Sequence, residues 1–194
     1  GELDAERGSI RLLGTDITRQ GIRARRRLGL ATVHADRLGR GSIAGFTLTE
    51  NRLLTHYVSA RGARSVFPDW KRLEAETETL IRHYHVKASG ARDTAGSLSG
   101  GNLQKFIIAR EIAQEPRVLV CFHPTWGVDV GSANLIHTEL AALRDKGVAI
   151  LVISEDLDEL YMLSDRVGAI CGGRISPIEH GSRVAPETLG GWMT

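Results

Sequence analysis

The chain has 194 residues, of which 42% are hydrophobic and 25% are charged, and its formal net charge is +2. A chain of this length can bury about 70% of the surface that it exposes when unfolded, so a sizeable core is available. The small net charge argues against a protein built to bind nucleic acid. The longest apolar run, residues 148–153, is far shorter than the ~18 to 20 residues that cross a bilayer, so we expect neither a membrane span nor a signal peptide.

The first part of the chain predicts short strands, a glycine-rich loop and a helix. Residues 8–18 alternate apolar and polar side chains around a glycine, which predicts a strand and a turn, and residues 28–33 predict a second strand. After the loop, Thr47 or Thr49 can cap a helix over residues 50–56, because a hydroxyl can accept from the first backbone N–H groups of a helix.

The middle of the chain predicts helices and the end predicts sheet. Residues 70–85 carry apolar side chains at helical spacing and lead to SLSGGNLQKFIIAREI at residues 97–112. Two apolar runs, RVLVCF and VAILVIS, flank a helix that stops at Gly147, and they predict a βαβ unit with both strands buried. A short helix and further strands follow. We therefore predict an α/β fold with an inserted helical block, divided at residues 1–45, 46–113 and 114–194.

The Ser-Gly-Gly turn before the helix that begins near Asn102 is a candidate phosphate site. Gly100 and Gly101 lack Cβ atoms, so their backbone N–H groups can approach an anion closely at the positive end of the helix. Ser99 adds a hydroxyl. A glycine-rich helix cap without a ligand is the alternative. A chain that hydrolyses a nucleotide by itself also needs a Gly-Lys-Ser/Thr loop, and none of the lysines here has those neighbours.

Several motifs around this turn occur in one order: residues 98–104, the strand at 118–122, residues 127–129, and Ser154 with Glu155. Together they resemble the second half of an ATP-binding cassette (ABC) nucleotide-binding domain, where they correspond to the signature motif, the Walker B strand, the D-loop and the switch-histidine position. The resemblance runs from about Gly8 to the C-terminus. It implies an α/β, ABC-type P-loop NTPase core with an inserted α-helical subdomain, incomplete here because the Walker A loop is lacking.

Further segments resemble one branch of that family. PTWGVDVG, SEDLDEL and the C-terminal LGGWM are similar to the C-terminal cassette of tandem ATPases that serve sugar and nucleoside importers. In those proteins the Walker A loop lies just upstream of the segment corresponding to the start of this chain, so we expect the chain to begin immediately after it.

The family's catalytic residues are missing at four positions. An active Walker B strand ends in an Asp that holds Mg²⁺, followed by a Glu that polarises the attacking water, but this chain has Phe122 and His123 there. Glu155 occupies the switch-histidine position, and residues 34–37 contain no Gln at the Q-loop position. His123 could instead act as a general base, but the metal-binding Asp would still be missing. We therefore expect no catalytic residue and no metal site in this chain.

The resemblance implies a divided ATP site, because ABC cassettes sandwich each ATP between the Walker A loop of one domain and the signature motif of the other. Asp129 would be a D-loop residue that reaches across the dimer, or simply a turn-forming Asp. ATP and Mg²⁺ are expected in the intact transporter, with neither tightly bound to this chain alone. The residues expected to grip the γ-phosphate of the partner's ATP are Ser99, Gly100, Gly101, Asn102 and Gln104.

The implied partners are an N-terminal cassette of the same polypeptide, transmembrane permease subunits, which residues 46–84 would meet, and indirectly a substrate-binding protein. The implied location is the cytoplasmic face of a bacterial membrane, as a peripheral subunit.

One alternative is a cytosolic, non-transport ABC protein that acts on nucleic acid or ribosomes. The modest charge argues against it, so no nucleic-acid partner is expected. Another alternative is a regulatory module without nucleotide contact.

Overall fold

A computed structural model describes residues 3–56 and 67–193. The chain divides into two compact units, Gly1–Leu151 and Val152–Thr194, and each is described by itself. The three-part division predicted from the sequence, at residues 1–45, 46–113 and 114–194, stays a prediction. Among the helices in the described ranges, none is both long enough and apolar enough to cross a membrane.

The first unit opens with an antiparallel hairpin and a short helix: β1 (Arg11–Leu12), β2 (Thr15–Asp16) and α1 (Ile22–Arg27). Arg25 fixes this helix to the hairpin, because its guanidinium donates to the backbone carbonyls of Gln20 at 2.8 Å and Ile17 at 3.0 Å. The strand predicted next in the sequence follows as β3 (Leu30–Val33).

A three-stranded sheet forms the centre of this unit, with β4 (Val118–Phe122) between β3 and β5 (Ala149–Ile153). β3 and β4 are parallel, and Val33 pairs with Cys121. Parallel strands end at the same edge of a sheet, so the chain segments that follow β3 and β4 leave the sheet side by side. This pairing brings residues near 36 close to residues near 126.

The strand β5 is not buried, which corrects the prediction from VAILVIS. Its side chains alternate between half-buried and exposed, and Leu151 and Ile153 are 55% and 36% exposed. β5 ends the strand order, so in residues 3–56 and 67–193 no strand pairs with its outer edge. An unbroken apolar run is typical of a strand with neighbours on all sides, but it does not establish that those neighbours are present.

The described part of the first unit also contains the α-helices α2 (Leu48–His56), α3 (Trp70–His83), α4 (Gly100–Ile112) and α5 (Val130–Asp145), with a short 3-10 helix at Ala95–Ser97 before α4. Thr47 and Glu50 form a reciprocal cap at the start of α2. The Thr47 hydroxyl accepts from the Glu50 N–H at 3.1 Å, and the Glu50 carboxylate accepts from the Thr47 N–H at 2.7 Å. The predicted helical spacing in α3 is confirmed, since it buries Leu73, Thr77 and Ile81.

An ion-pair cluster lies in the core beside α4. Glu111 is fully buried and pairs with Arg110 and Arg26, each at 2.9 Å. Arg110 is buried too, and it also donates to the carbonyl of Gly41 at 2.7 Å. The cluster therefore ties α4 both to α1 and to the loop that follows β3.

The second unit contains two helices and two antiparallel strand pairs: α6 (Leu157–Leu163), β6 (Arg166–Val167) with β9 (Glu179–His180), β7 (Ile170–Cys171) with β8 (Arg174–Ile175), and α7 (Pro186–Gly191). Val167, Val184 and Leu189 form its small core, against which Tyr161 and Trp192 pack. The Tyr161 hydroxyl donates to the Val184 carbonyl at 3.0 Å. The LGGWM segment thus contributes to this core.

Candidate phosphate site

Three turns meet at the carboxyl ends of β3 and β4. We call residues 36–42 the β3 turn, residues 99–101 the signature turn and residues 123–129 the β4 turn. The signature turn and the β4 turn approach so closely that a Cβ atom on Gly101 would lie 2.6 Å from the carbonyl oxygen of Gly127. Real Cβ atoms essentially never come that near a backbone atom, so this approach requires glycine at position 101.

The signature turn presents backbone donors at the start of α4, which begins at Gly100, two residues before the predicted start. The first N–H groups of a helix have no acceptor within the helix, and they form its positive end. Ser99 is the N-cap residue, but its side chain caps no N–H. Its hydroxyl oxygen accepts from the Asn102 amide at 2.8 Å. Ser99 and Gly100 are exposed, so an anion can reach both.

Asn102 and Gln104 support this turn in different ways. The Asn102 side chain accepts from the Lys87 N–H at 2.9 Å. Gln104 is only 1% exposed, and its amide donates to the carbonyls of His123 at 3.2 Å and Pro124 at 3.0 Å. The sequence predicts that Gln104 grips a phosphate, but here its side chain lies behind the turn and holds the β4 turn in place.

Asp129 closes the β4 turn as the N-cap of α5. Its carboxylate accepts from the Ser132 N–H at 2.9 Å and from the Ser132 hydroxyl at 2.7 Å. These hydrogen bonds lower the pKa of the Asp129 carboxyl from its usual value. The turn-forming alternative accounts for both contacts, while a role for Asp129 across a dimer stays a prediction.

The residues at the end of β4 do not fit a magnesium ion. Phe122 is 36% exposed and contacts the His123 ring edge-on, with the ring centres 4.9 Å apart. His123 has a left-handed backbone, with φ of 45°, and its carbonyl accepts from the Trp126 N–H at 3.3 Å. Mg²⁺ prefers oxygen ligands, and neither aromatic ring supplies one. His123 therefore lines the β4 turn.

Glu155 lies in the second unit, directly before α6, and it is exposed. The next residue, Asp156, caps α6, since its carboxylate accepts from the Glu159 N–H at 3.1 Å. The acidic residues after β5 thus begin a helix whose positive end favours them.

Arg37 is a site residue that the sequence reasoning missed. Its guanidinium donates to the carbonyl of Trp126. A Cβ atom on Gly100 would lie 3.0 Å from one of its terminal nitrogens, and a Cβ atom on Gly127 would lie 3.5 Å from the other. Partial burial lowers the pKa of this guanidinium from its usual value. The available signal was a cation four residues after the end of β3, in the segment at the Q-loop position.

Comparison with solved structures shows the fold. The chain superposes on a dimeric ATP-binding cassette in a post-hydrolysis state bound to ADP and Pi with a TM-score of 0.76 and 18% identity, covering 92% of this chain and 75% of that one. A nucleotide-free cassette from an ABC transporter gives a TM-score of 0.74 with 21% identity, covering 99% of this chain and 75% of that one. The predicted α/β ABC cassette fold is confirmed.

Sequence comparison shows the family. The model that describes the ABC transporter family matches residues 1–125. The nucleoside import ATP-binding protein NupA of Lactococcus lactis subsp. cremoris is 39% identical over 93% of this chain and 35% of its own length. The ribose import ATP-binding protein RbsA of Halalkalibacterium halodurans is 36% identical, covering 83% of this chain and 32% of that protein.

The guanosine import ATP-binding protein NupO of Bacillus subtilis is 34% identical over 94% of this chain and 36% of its own length. The chain thus spans about a third of the length of the curated relatives it matches. With its cassette fold, its signature turn and a family match over most of its length, the chain belongs to the ABC transporter family.

Proposed function

We propose that this chain acts as the second cassette of an ABC importer ATPase for sugars or nucleosides and supplies its signature motif to the ATP site of a partner cassette. The observation that carries the proposal is an asymmetry. The signature turn offers exposed donors at a helix N-terminus, whereas the end of β4 carries Phe122 and His123 in place of acids. A chain built this way can stabilise a phosphate, but the end of β4 offers no carboxylate for the metal that hydrolysis needs.

The phosphate ligands in this proposal are Ser99, Gly100 and Gly101. The N–H groups of the two glycines and the Ser99 hydroxyl would stabilise the negative charge of the γ-phosphate, because they are fixed donors at the positive end of α4. ATP supplies the phosphoryl group that is transferred to water, and Mg²⁺ is assigned to the partner cassette. Asn102 and Gln104 keep the turn in place.

The substrate class is supported by the relatives, which are named as import ATP-binding proteins for nucleosides, ribose and guanosine. Nucleosides or related compounds are our preferred solutes. The implied assembly contains an N-terminal cassette, permease subunits and, indirectly, a substrate-binding protein, with this chain peripheral at the cytoplasmic face of the membrane.

The isolated chain should neither hydrolyse ATP nor bind Mg-ATP tightly, because it has no Gly-Lys-Ser/Thr loop and no carboxylate at the end of β4. Titration calorimetry with ATP, with and without Mg²⁺, tests this expectation. We expect no binding heat at micromolar ATP in either condition. Mg²⁺-dependent binding with a micromolar Kd would place a complete nucleotide site within this chain and would overturn the proposal.

Residues 46–84 should form the surface that meets the permease. Residues 57–66 of this segment lie outside the described residues. The rest includes α2, α3 and the residues just before α3, and its exposed apolar side chains include Leu54, Phe67 and Trp70. Photo-cross-linking from Leu54 and Trp70 in the assembled transporter should capture the membrane subunit. A probe at Ile175 in the second unit serves as a control. Cross-links to the membrane subunit from Ile175 alone would rule out this surface.

A further inference from the structure

We propose that Arg37 is a positioning residue for the signature motif, clamping the signature turn to the β4 turn so that the backbone donors of α4 keep their direction. The inference rests on the proposed function, because it assigns a role within the same phosphate site. It concerns a residue of the β3 turn, which the sequence motifs leave without a role.

The β4 turn is held by side chains on two sides. On the buried side, Gln104 donates to the carbonyls of His123 and Pro124. On the partly exposed side, Arg37 donates to the carbonyl of Trp126. The two clamps therefore engage three carbonyl groups within four consecutive residues of one turn. Because the β4 turn is held on two sides in this way, it presents a fixed surface to the signature turn.

Arg37 also borders the signature turn directly. One terminal nitrogen of its guanidinium would lie 3.0 Å from a Cβ atom on Gly100, so the missing side chain at Gly100 leaves the space in which the guanidinium sits. The guanidinium has several donors in a fixed arrangement, so one terminal nitrogen can bond the Trp126 carbonyl while the other lies beside Gly100.

The backbone of Arg37 is fixed by the β3 turn. Its carbonyl accepts from the Ser42 hydroxyl at 2.6 Å, and the carbonyl of Asp36 accepts from the Gly41 N–H at 2.8 Å. The carbonyl of Gly41 in turn accepts from Arg110 of α4 at 2.7 Å. The clamp is therefore anchored to the helix whose N-terminus it positions, and little order has to be gained when a phosphate arrives.

Arg37→Ala should lower the kcat of ATP hydrolysis by the assembled transporter about 10-fold to 100-fold, because displacing phosphate donors by about 1 Å has effects of that size. Arg37→Lys should lower kcat less than Arg37→Ala does. An ammonium can donate to the Trp126 carbonyl, but it has no second nitrogen to place beside Gly100. Arg144→Ala is the matched control, since it removes an exposed guanidinium that pairs only locally, with Asp145 at 2.9 Å. It should leave kcat unchanged.

Thermal melts of each assembled variant separate positioning from loss of folding, because a merely structural role would lower Tm without lowering the kcat of the folded fraction. Should Arg37→Ala fail to assemble, Arg37→Lys carries the test, with an expected kcat below wild type. Wild-type kcat in the folded Arg37 variants, together with impaired turnover in Ser99→Asp, would overturn this inference and leave the proposed function standing. If Ser99→Asp also turns over normally, the proposed function fails as well.

Discussion

Ser99→Asp is expected to slow ATP hydrolysis by the assembled transporter about 100-fold to 1,000-fold while leaving the chain folded. Loss of one fixed donor to a developing negative charge has an effect of about this size, and a carboxylate adds repulsion. Folding should not suffer, because Asp is a preferred N-cap residue and its charge is favourable at a helix N-terminus. Ser99 is exposed, so the larger side chain has room. Steady-state ATPase rates and thermal melts measure the two effects.

Ser99→Asn is the matched control for this prediction, since Asn has the size and capping ability of Asp without its charge. It should lose less activity than Ser99→Asp, because its amide can still donate to a phosphate and carries no charge. Equal losses in the two variants would show that shape rather than charge matters at this position. Gly101→Asp is a poorer test, because any Cβ at Gly101 would lie 2.6 Å from the Gly127 carbonyl and would displace the β4 turn.

Glu111→Ala should destabilise the first unit by about 3 to 5 kcal/mol, because it leaves a buried guanidinium without its counter-charge. Glu111 is fully buried and pairs at 2.9 Å with both Arg110 and Arg26. Arg110 would remain buried next to an empty space. Urea denaturation followed by circular dichroism measures the free energy of unfolding of the wild type and the variant.

An exposed ion pair provides the control for this second prediction. Glu74 pairs with Arg92 at 2.7 Å, but the Arg92 side chain is 84% exposed. Water and salt screen such a pair, so Glu74→Ala should change the free energy of unfolding far less than Glu111→Ala does. If Glu111→Ala also changed the free energy of unfolding only slightly, water would have to reach the cluster and solvate Arg110 and Arg26 without Glu111.

Local patterns predicted the helices well, because their signals lie within a few residues. The Thr47–Glu50 cap and the apolar spacing of α3 are both present in the structure. The burial of β5 was predicted wrongly, because burial depends on neighbours that are distant in sequence. Leu151 is as apolar as Leu119, yet it is 55% exposed while Leu119 is fully buried in the central strand.

The candidate site was predicted only in part, because some of its contacts join residues that are distant in sequence. The glycines of the signature turn can be recognised in the sequence, since glycines directly before an amphipathic helix are typical of phosphate sites. The contacts of Gln104 with the β4 turn and of Arg37 with Trp126 join residues 19 to 89 positions apart. No local pattern encodes such contacts. Only the fold therefore shows which residues present donors to a phosphate and which residues hold the β4 turn.

In the proposed assembly this chain supplies phosphate donors to a partner's ATP, while its own β4 end takes no part in hydrolysis. The most direct test compares the steady-state ATPase rates of Ser99→Asp and His123→Ala in the assembled transporter, with folding checked by thermal melts. We predict that Ser99→Asp lowers the ATPase rate about 100-fold or more. The ATPase rate of His123→Ala should stay close to that of the wild type, because His123 only lines the β4 turn. Abolished turnover in His123→Ala with normal turnover in Ser99→Asp would show instead that the β4 end of this chain takes part in hydrolysis and that its signature turn does not.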